Sequence, residues 1–159
     1  MKNQLVVLLT LCLAAGCKDS GTEAYPGADV LPQVRFSQTN YSQAVIMVGR
    51  PDTVLLPLFT RTYGGRYSDG LKASLVHYIL DRTRQAGFDE REVQACLQAT
   101  GQLESGGESL PYLAERAKYD GQEAWVFEFT YGFDGSFGHY RCFVIGAQTL
   151  DTLFYESCR

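Results

Sequence analysis

The feature that most constrains the fold is an alternating apolar run in the last third of the chain. Residues 124–131 read AWVFEFTY, and alternate positions carry an aromatic face formed by Trp125, Phe127, Phe129 and Tyr131. A period of two is typical of a β-strand with one buried face. Two further strand-like segments follow at 139–145 and 150–157, joined by the turn 146–149. The sequence therefore predicts a three-stranded antiparallel meander.

Two helices are predicted before the meander. Residues 68–86 carry an apolar stripe at helical spacing, formed by Leu71, Leu75, Tyr78 and Ile79, and a polar face formed by His77, Asp81 and Arg84. Residues 89–101 begin with Asp89 and Glu92 at the spacing of a capping box, flanked by Phe88 and Val93 at the positions of a hydrophobic staple. A third, short helix is predicted from Pro111 to about residue 118, because proline suits the first helical position.

The segments 42–49 and 54–60 are both apolar and flank the turn-like stretch Arg50-Pro51-Asp52-Thr53. This pattern predicts a β-hairpin, with Pro57 at an edge or bulge because proline donates no ladder hydrogen bond. Strands segregated from helices indicate an α+β fold. We expect one domain over residues 33–159, an antiparallel sheet built from this hairpin and the meander, with two to three helices packed on one face.

The N-terminus predicts a secretory signal peptide over residues 1–16. One lysine precedes the apolar stretch LVVLLTLCLAA, and small residues follow it. As a helix this stretch is about 16 Å long, too short for a hydrocarbon core about 30 Å thick.

Leu13-Ala14-Ala15-Gly16-Cys17 resembles the lipobox of bacterial lipoproteins. The resemblance implies cleavage before Cys17, diacylation of its thiol and, in many bacteria, N-acylation, so that the chain is anchored to a membrane of the cell envelope. Lys18 in place of an aspartate favours the outer membrane, on its periplasmic face, if the cell is Gram-negative. Residues 17–32 are rich in Gly, Pro and small polar residues and read as a lipidated tether with a reach of about 20 Å.

The C-terminal stretch VIGAQTLDTL resembles the end of PepSY-type domains, with Ala147, Gln148, Thr149, Asp151 and Leu153 in matching positions. Gly146 and Leu150 depart from that pattern. A cystatin-like arrangement of helices against a curved sheet is equally compatible. Both resemblances imply a binding or inhibitory module more often than an enzyme.

The charge balance argues against nucleic acid as a partner. Removal of residues 1–16 takes away Lys2, which leaves 13 basic and 18 acidic residues and a net charge of −5. A mildly acidic domain without a basic run lacks the electrostatic footprint of a nucleic-acid-binding protein.

Three cysteines, Cys96, Cys142 and Cys158, remain in the mature domain, in an oxidising compartment. A four-residue turn at 146–149 sets Cys142 opposite Leu153 and leaves Cys158 about 17 Å along the strand, whereas a disulfide needs Cα atoms within roughly 7 Å. We therefore expect a Cys96–Cys158 disulfide, with Cys96–Cys142 as the second choice and three reduced, buried thiols as the alternative.

No catalytic or metal-binding signature is present, so no catalytic residue, metal site or cofactor is predicted. There is no HExxH motif, no cysteine pair at zinc spacing and no complete nucleophile elbow. The segment 131–138 joins two predicted strands and carries Tyr131, Phe133 and Phe137, which we predict to form a recognition hairpin if they are exposed.

Two hypotheses follow from these patterns. The first is a lipid-anchored, non-enzymatic binding or assembly module with an envelope protein as its partner. The alternative is an envelope hydrolase whose active-site residues form no recognisable motif.

Overall fold

The computed structural model describes residues 30–48, 54–104, 108–133 and 136–158; the predicted signal peptide, Cys17 and most of the predicted tether lie outside this part. The described elements are, in chain order, β1 (Gln33–Tyr41), α1 (Gln43–Val48), α2 (Leu55–Tyr63), α3 (Asp69–Gln85), α4 (Glu90–Ala99), β2 (Glu108–Tyr119), β3 (Gln122–Phe133), β4 (Ser136–Gly146) and β5 (Thr152–Cys158). The strands form one sheet in the order β1-β2-β3-β4-β5. The fold is α+β, as the sequence predicts.

The meander of β3, β4 and β5 is antiparallel, which confirms the C-terminal prediction. Its last register differs from the expected one. Ile145 lies opposite Thr152 rather than Leu150, and Cys142 lies opposite Glu156 rather than Leu153. The difference arises because Leu150 takes a positive φ of 60° in the turn and because the register shifts between Val144 and Ile145.

Both central helices form where their local signals predict them. Ser68 caps α3 by accepting a hydrogen bond from the Leu71 amide, and Asp89 caps α4 by accepting one from the Arg91 amide. The staple and the capping box are not completed as expected. Phe88 stacks on Phe36 at a ring distance of 4.5 Å, and Glu92 accepts a hydrogen bond from Trp125. None of the helices in the described ranges is long and apolar enough to cross a membrane.

The predicted N-terminal hairpin is wrong, because its two segments form the helices α1 and α2. In α2 the residues that face the core are Leu55, Leu56, Phe59 and Tyr63, which is a helical rather than an alternating spacing. Pro57 is tolerated as the third helical residue, since amides of the first turn have no intrahelical acceptor.

The predicted short helix at Pro111 is also wrong, because 108–119 is the strand β2. Proline is accommodated where the register between β2 and β3 shifts, between Pro111 and Leu113. The other edge of β2 pairs with β1, and this pairing is parallel. The sheet is therefore mixed rather than antiparallel.

Helices cover both faces of the sheet instead of one. On β3, Trp125, Phe127 and Phe129 point into a cluster with α3 and α4, through Ile79, Val93, Cys96 and Leu97. The alternate residues Ala124 and Val126 point into a second cluster that includes Ile46 of α1 and Leu55, Phe59 and Tyr63 of α2. Because helices cover both faces of the central strands, polar side chains of β4 lie beneath a helix. They form part of the site described next.

Candidate functional site

Gln102 is the centre of a polar cluster between the sheet and α3. It follows α4 in the connection to β2 and is 8% exposed. Its backbone oxygen accepts a hydrogen bond from Lys72 Nζ at 3.1 Å. Its side-chain Oε1 accepts one from Arg141 Nη1 at 2.6 Å and one from Ser109 Oγ at 3.4 Å. We call Lys72, Gln102, Ser109 and Arg141 the Gln102 cluster.

The secondary structure explains why these side chains meet. Lys72 lies in the first turn of α3, which Ser68 caps. Arg141 lies on β4, on the sheet face that α3 and α4 cover, and its guanidinium carbon is 4.0 Å from the centre of the Tyr131 ring. Tyr131 in turn pairs with Ser109 on β2 and with His139 on β4. The helix α3, the connection between α4 and β2, and the strands β2 and β4 therefore supply the cluster, and Tyr131 of β3 lies between the two strands.

The cluster carries two cations with little compensating charge. Among the described residues, no carboxylate lies within ion-pair distance of Lys72 or Arg141. Arg141 Nε is buried and has no hydrogen-bond acceptor. Burial lowers the pKa of Lys72, and the nearby charge of Asp69 partly offsets this effect. The bond to the Gln102 carbonyl, just past the C-terminus of α4, stabilises the ammonium further, because a helix C-terminus favours positive charge.

A groove of about 370 Å³ adjoins the cluster. Its lining residues are Asp69, Lys72, Ala73, Val76, His77, Leu80 and Leu103. Six of these follow one face of α3 at helical spacing, and Leu103 directly follows Gln102 in the chain. Lys72 belongs to both the groove and the cluster. We call this surface the α3 groove.

The three aromatic residues of the predicted recognition hairpin lie in different environments. Tyr131 is 5% exposed and lies against Arg141; Phe137 is 7% exposed and packs at a ring distance of 6.2 Å from Tyr67. Phe133, in contrast, is 71% exposed. The three rings therefore do not form one exposed patch. The inward position of Tyr131 continues the alternation of Trp125, Phe127 and Phe129, so the sequence did carry the signal for its burial.

The structure does not bring Cys96 and Cys158 together. Cys96 lies on the buried face of α4, where its Sγ is 4.0 Å from the carbonyl oxygen of Gly146. The backbone of Cys158 pairs with Tyr140 on β4. Tyr140 precedes Gly146 by six residues, which is about 20 Å along the strand. Cys142 lies in the cluster on the opposite face of the sheet from Cys96. Neither expected pairing fits this register.

Sequence patterns alone do not indicate that Lys72, Gln102 and Arg141 form a site. Lys72 directly follows Leu71 on α3, and Arg141 lies among the apolar residues of β4, so each is a charged residue inside a pattern of buried ones. That anomaly is a usable signal, because lysine and arginine are rarely buried without a partner. In the described ranges, no group of acidic, histidine or cysteine side chains is arranged to hold a metal ion.

The chain matches no family model, no curated protein and no solved structure. The resemblances to a lipobox and to PepSY-type or cystatin-like domains stay predictions.

Proposed function

We propose that this chain is a lipid-anchored protein of the cell envelope whose folded domain is a non-enzymatic module that binds an anionic ligand at the Gln102 cluster. The observation that carries the proposal is the convergence of Lys72 and Arg141 on one residue, Gln102, without a carboxylate in ion-pair range within the described residues. Lys72 bonds to the backbone oxygen of Gln102 and Arg141 to its side-chain oxygen, and an anion bound near both cations offsets their mutual repulsion.

The donors at the cluster suit an oxyanion. Arg141 uses Nη1 for Gln102, while its Nε is buried without an acceptor. A guanidinium binds a carboxylate or a phosphate through two parallel N–H groups. Lys72 adds a second positive charge, and its side chain is 7% exposed, so the attraction is weakly screened.

The envelope location rests on Cys17. The lipobox resemblance supports acylation of this cysteine, and two or more acyl chains anchor a protein stably. The tether of residues 17–32 then leaves the domain close to the membrane surface, with a reach of about 20 Å. The expected partner is therefore a molecule found within that distance of the bilayer, either a small anion or an envelope protein that presents an acidic group.

Anion binding is tested by titrating the full chain with acetate and with inorganic phosphate while the side-chain N–H signals of arginine are followed by NMR. We expect both anions to shift the Arg141 signal, and Arg141→Gln to weaken binding by at least about tenfold, since a charge-assisted hydrogen bond contributes about 1.5–3 kcal/mol. Arg84→Gln is the matched control, because Arg84 is an exposed arginine that pairs with Asp81. Equal binding by wild type and Arg141→Gln would overturn the assignment of the site.

The anchor is tested separately by Cys17→Ser. The wild type should sediment with membranes and carry a diacyl modification on the Cys17 peptide, whereas the variant should lose the modification and stay unprocessed. An unmodified Cys17 in the wild-type protein would contradict the lipoprotein assignment without affecting the anion site.

A further inference from the structure

We propose that the ligand of the Gln102 cluster is a single-chain amphiphilic anion, with its carboxylate or phosphate head at the cluster and its acyl chain in the α3 groove. This inference rests on the proposed function. It adds the class of ligand, which the cluster alone does not define.

Continuity between the cluster and the groove is the first argument. Lys72 donates to the backbone oxygen of Gln102 and also lines the groove. Leu103, the next residue after Gln102, also lines the groove. Because consecutive Cα atoms are about 3.8 Å apart, a ligand whose head contacts the cluster enters the groove directly.

The composition of the groove is the second argument. Its apolar lining comes from Ala73, Val76, Leu80 and Leu103. From Lys72 to Leu80 the helix advances about 12 Å, so the apolar part is elongated. A volume of about 370 Å³ lies in the range of small-molecule pockets, which are mostly apolar with a few polar groups that orient the ligand.

The polar groups of the groove orient the ligand in one direction. Lys72 lies at the end that meets Gln102. Asp69, one helical turn before it, accepts a hydrogen bond from the Tyr67 hydroxyl at 3.1 Å and repels an anionic head. His77 lies about one and a half turns further along α3 and pairs with Asp81 at 4.0 Å. The head is therefore placed on the Gln102 side of Lys72, and the chain extends past Val76 towards Leu80.

The test is a chain-length series measured on residues 17–159, expressed without the apolar N-terminal segment and carrying Cys17→Ser, so that neither this segment nor an acyl chain competes for the ligand. Alkyl carboxylates from acetate to dodecanoate, kept below their micelle concentrations, are titrated by calorimetry. Each methylene that enters the groove should raise the affinity about fourfold, until the groove is filled. Dodecyl phosphate tests the second head group, and the neutral dodecyl maltoside tests whether the chain binds without a charge.

A groove variant separates the two parts of the site. Ala73 is exposed and lines the groove, so Ala73→Glu should place a charge there and leave the core intact. Gln85→Glu adds the same charge to the exposed end of α3 and is the matched control. We expect Ala73→Glu to abolish the dependence on chain length while acetate still binds, and Gln85→Glu to behave as the wild type.

The outcomes distinguish failure of this inference from failure of the proposed function. If acetate binds but affinity is independent of chain length, the groove is not part of the site and the anion-binding function stands. If no anion binds, both proposals are wrong. If dodecyl maltoside binds as tightly as dodecanoate, or if Arg141→Gln leaves dodecanoate binding unchanged, the groove takes apolar chains without using the cluster, and the amphiphilic-anion proposal is overturned.

Discussion

Trp125, the single tryptophan of the chain, is fully buried, and its indole donates a hydrogen bond of 2.8 Å to Glu92 Oε1. The same oxygen lies 3.1 Å from Arg116 Nε, outside hydrogen-bonding geometry, so this second contact is an ion pair. Arg116 also pairs with Glu123 at 2.7 Å. Glu92 thus links α4 to β2 and β3 through one carboxylate.

Replacing Glu92 by alanine should destabilise the fold by about 1–3 kcal/mol, because it leaves the buried indole N–H without an acceptor. Glu90→Ala is the matched control. Both residues lie in the first turn of α4 and interact similarly with the helix dipole. Within the described ranges, however, the ion pair of Glu90 is with the exposed Arg84 at 3.5 Å, and its loss should cost less than about 1 kcal/mol. Urea unfolding followed by circular dichroism measures both. Equal losses would show that the contact with Trp125 contributes nothing.

Cys96 should be unreactive in the native protein. Burial raises the pKa of its thiol to about 11, first by desolvation and then through the charge of Glu92, and only the thiolate attacks alkylating reagents. We expect iodoacetamide without reductant to label Cys96 in urea but not in buffer, as read by peptide mass spectrometry. Because the folded-state pKa lies above the unfolded one, this thiol's contribution to stability is complete below about pH 9 and is lost as pH rises through about 11. A Cys96–Cys158 peptide in the unreduced digest would contradict this register.

At the scale of elements, the successful predictions are those whose signals are local. The Ser68 and Asp89 caps define where α3 and α4 begin, and the alternation of 124–131 defines β3. Elements with conflicting signals were mispredicted. In α2 the apolar run and Pro57 resemble an edge strand, and in β2 Pro111 resembles a helix start. In both segments the packing against neighbouring elements outweighs the local propensities.

The hairpin between β3 and β4 depends on the absence of a side chain at residue 132. A Cβ on Gly132 would lie 1.9 Å from the carbonyl oxygen of Ser136, a backbone atom that cannot move without breaking the pairing. Gly132→Ala should therefore destabilise the protein by about 1–3 kcal/mol. Gly70→Ala is the contrasting variant, because the nearest atom, Ser68 Oγ, is 3.9 Å away and alanine in a helix is favoured by about 0.5–1 kcal/mol. Thermal unfolding should move the two variants in opposite directions; a shift of Gly132→Ala to higher temperature would refute the clash.

At the scale of the whole molecule, the sheet is enclosed by helices on both faces, and its centre is β3. This strand is hydrogen-bonded to β2 on one side and to β4 on the other. Within the described ranges β5 pairs only with β4, and its Tyr155 is 52% exposed. The centre of the sheet at β3 is therefore buried, whereas its edge at β5 is partly exposed.

Amide hydrogen exchange should follow this layout. Amides of β3 from 125 to 130 should exchange only when the whole domain unfolds, so that their opening free energy equals the global one from urea unfolding. Amides of β5 should exchange by local opening and therefore faster. The measurement is exchange followed by NMR. Protection of β5 equal to that of β3 would mean that a further contact covers this edge.

The sequence by itself determined the elements whose information lies within a few neighbouring residues: the helices α3 and α4, the meander and the α+β class. Caps and alternation act over one to three residues, so they can be read along the chain. The lipobox resemblance is also local, and it carries the expectation of a lipid anchor at Cys17.

Only the tertiary structure decided the parallel pairing of β1 with β2, the helical cover on both faces and the Gln102 cluster. Gln33 pairs with Leu113 across 80 residues, and Gln102 joins Lys72 and Arg141 across 30 and 39 residues. No local propensity encodes such contacts, because they form only when distant segments pack around a shared core and lose the entropy of the intervening chain together. The candidate site is therefore a product of packing, whereas the predicted anchor is a product of the sequence alone.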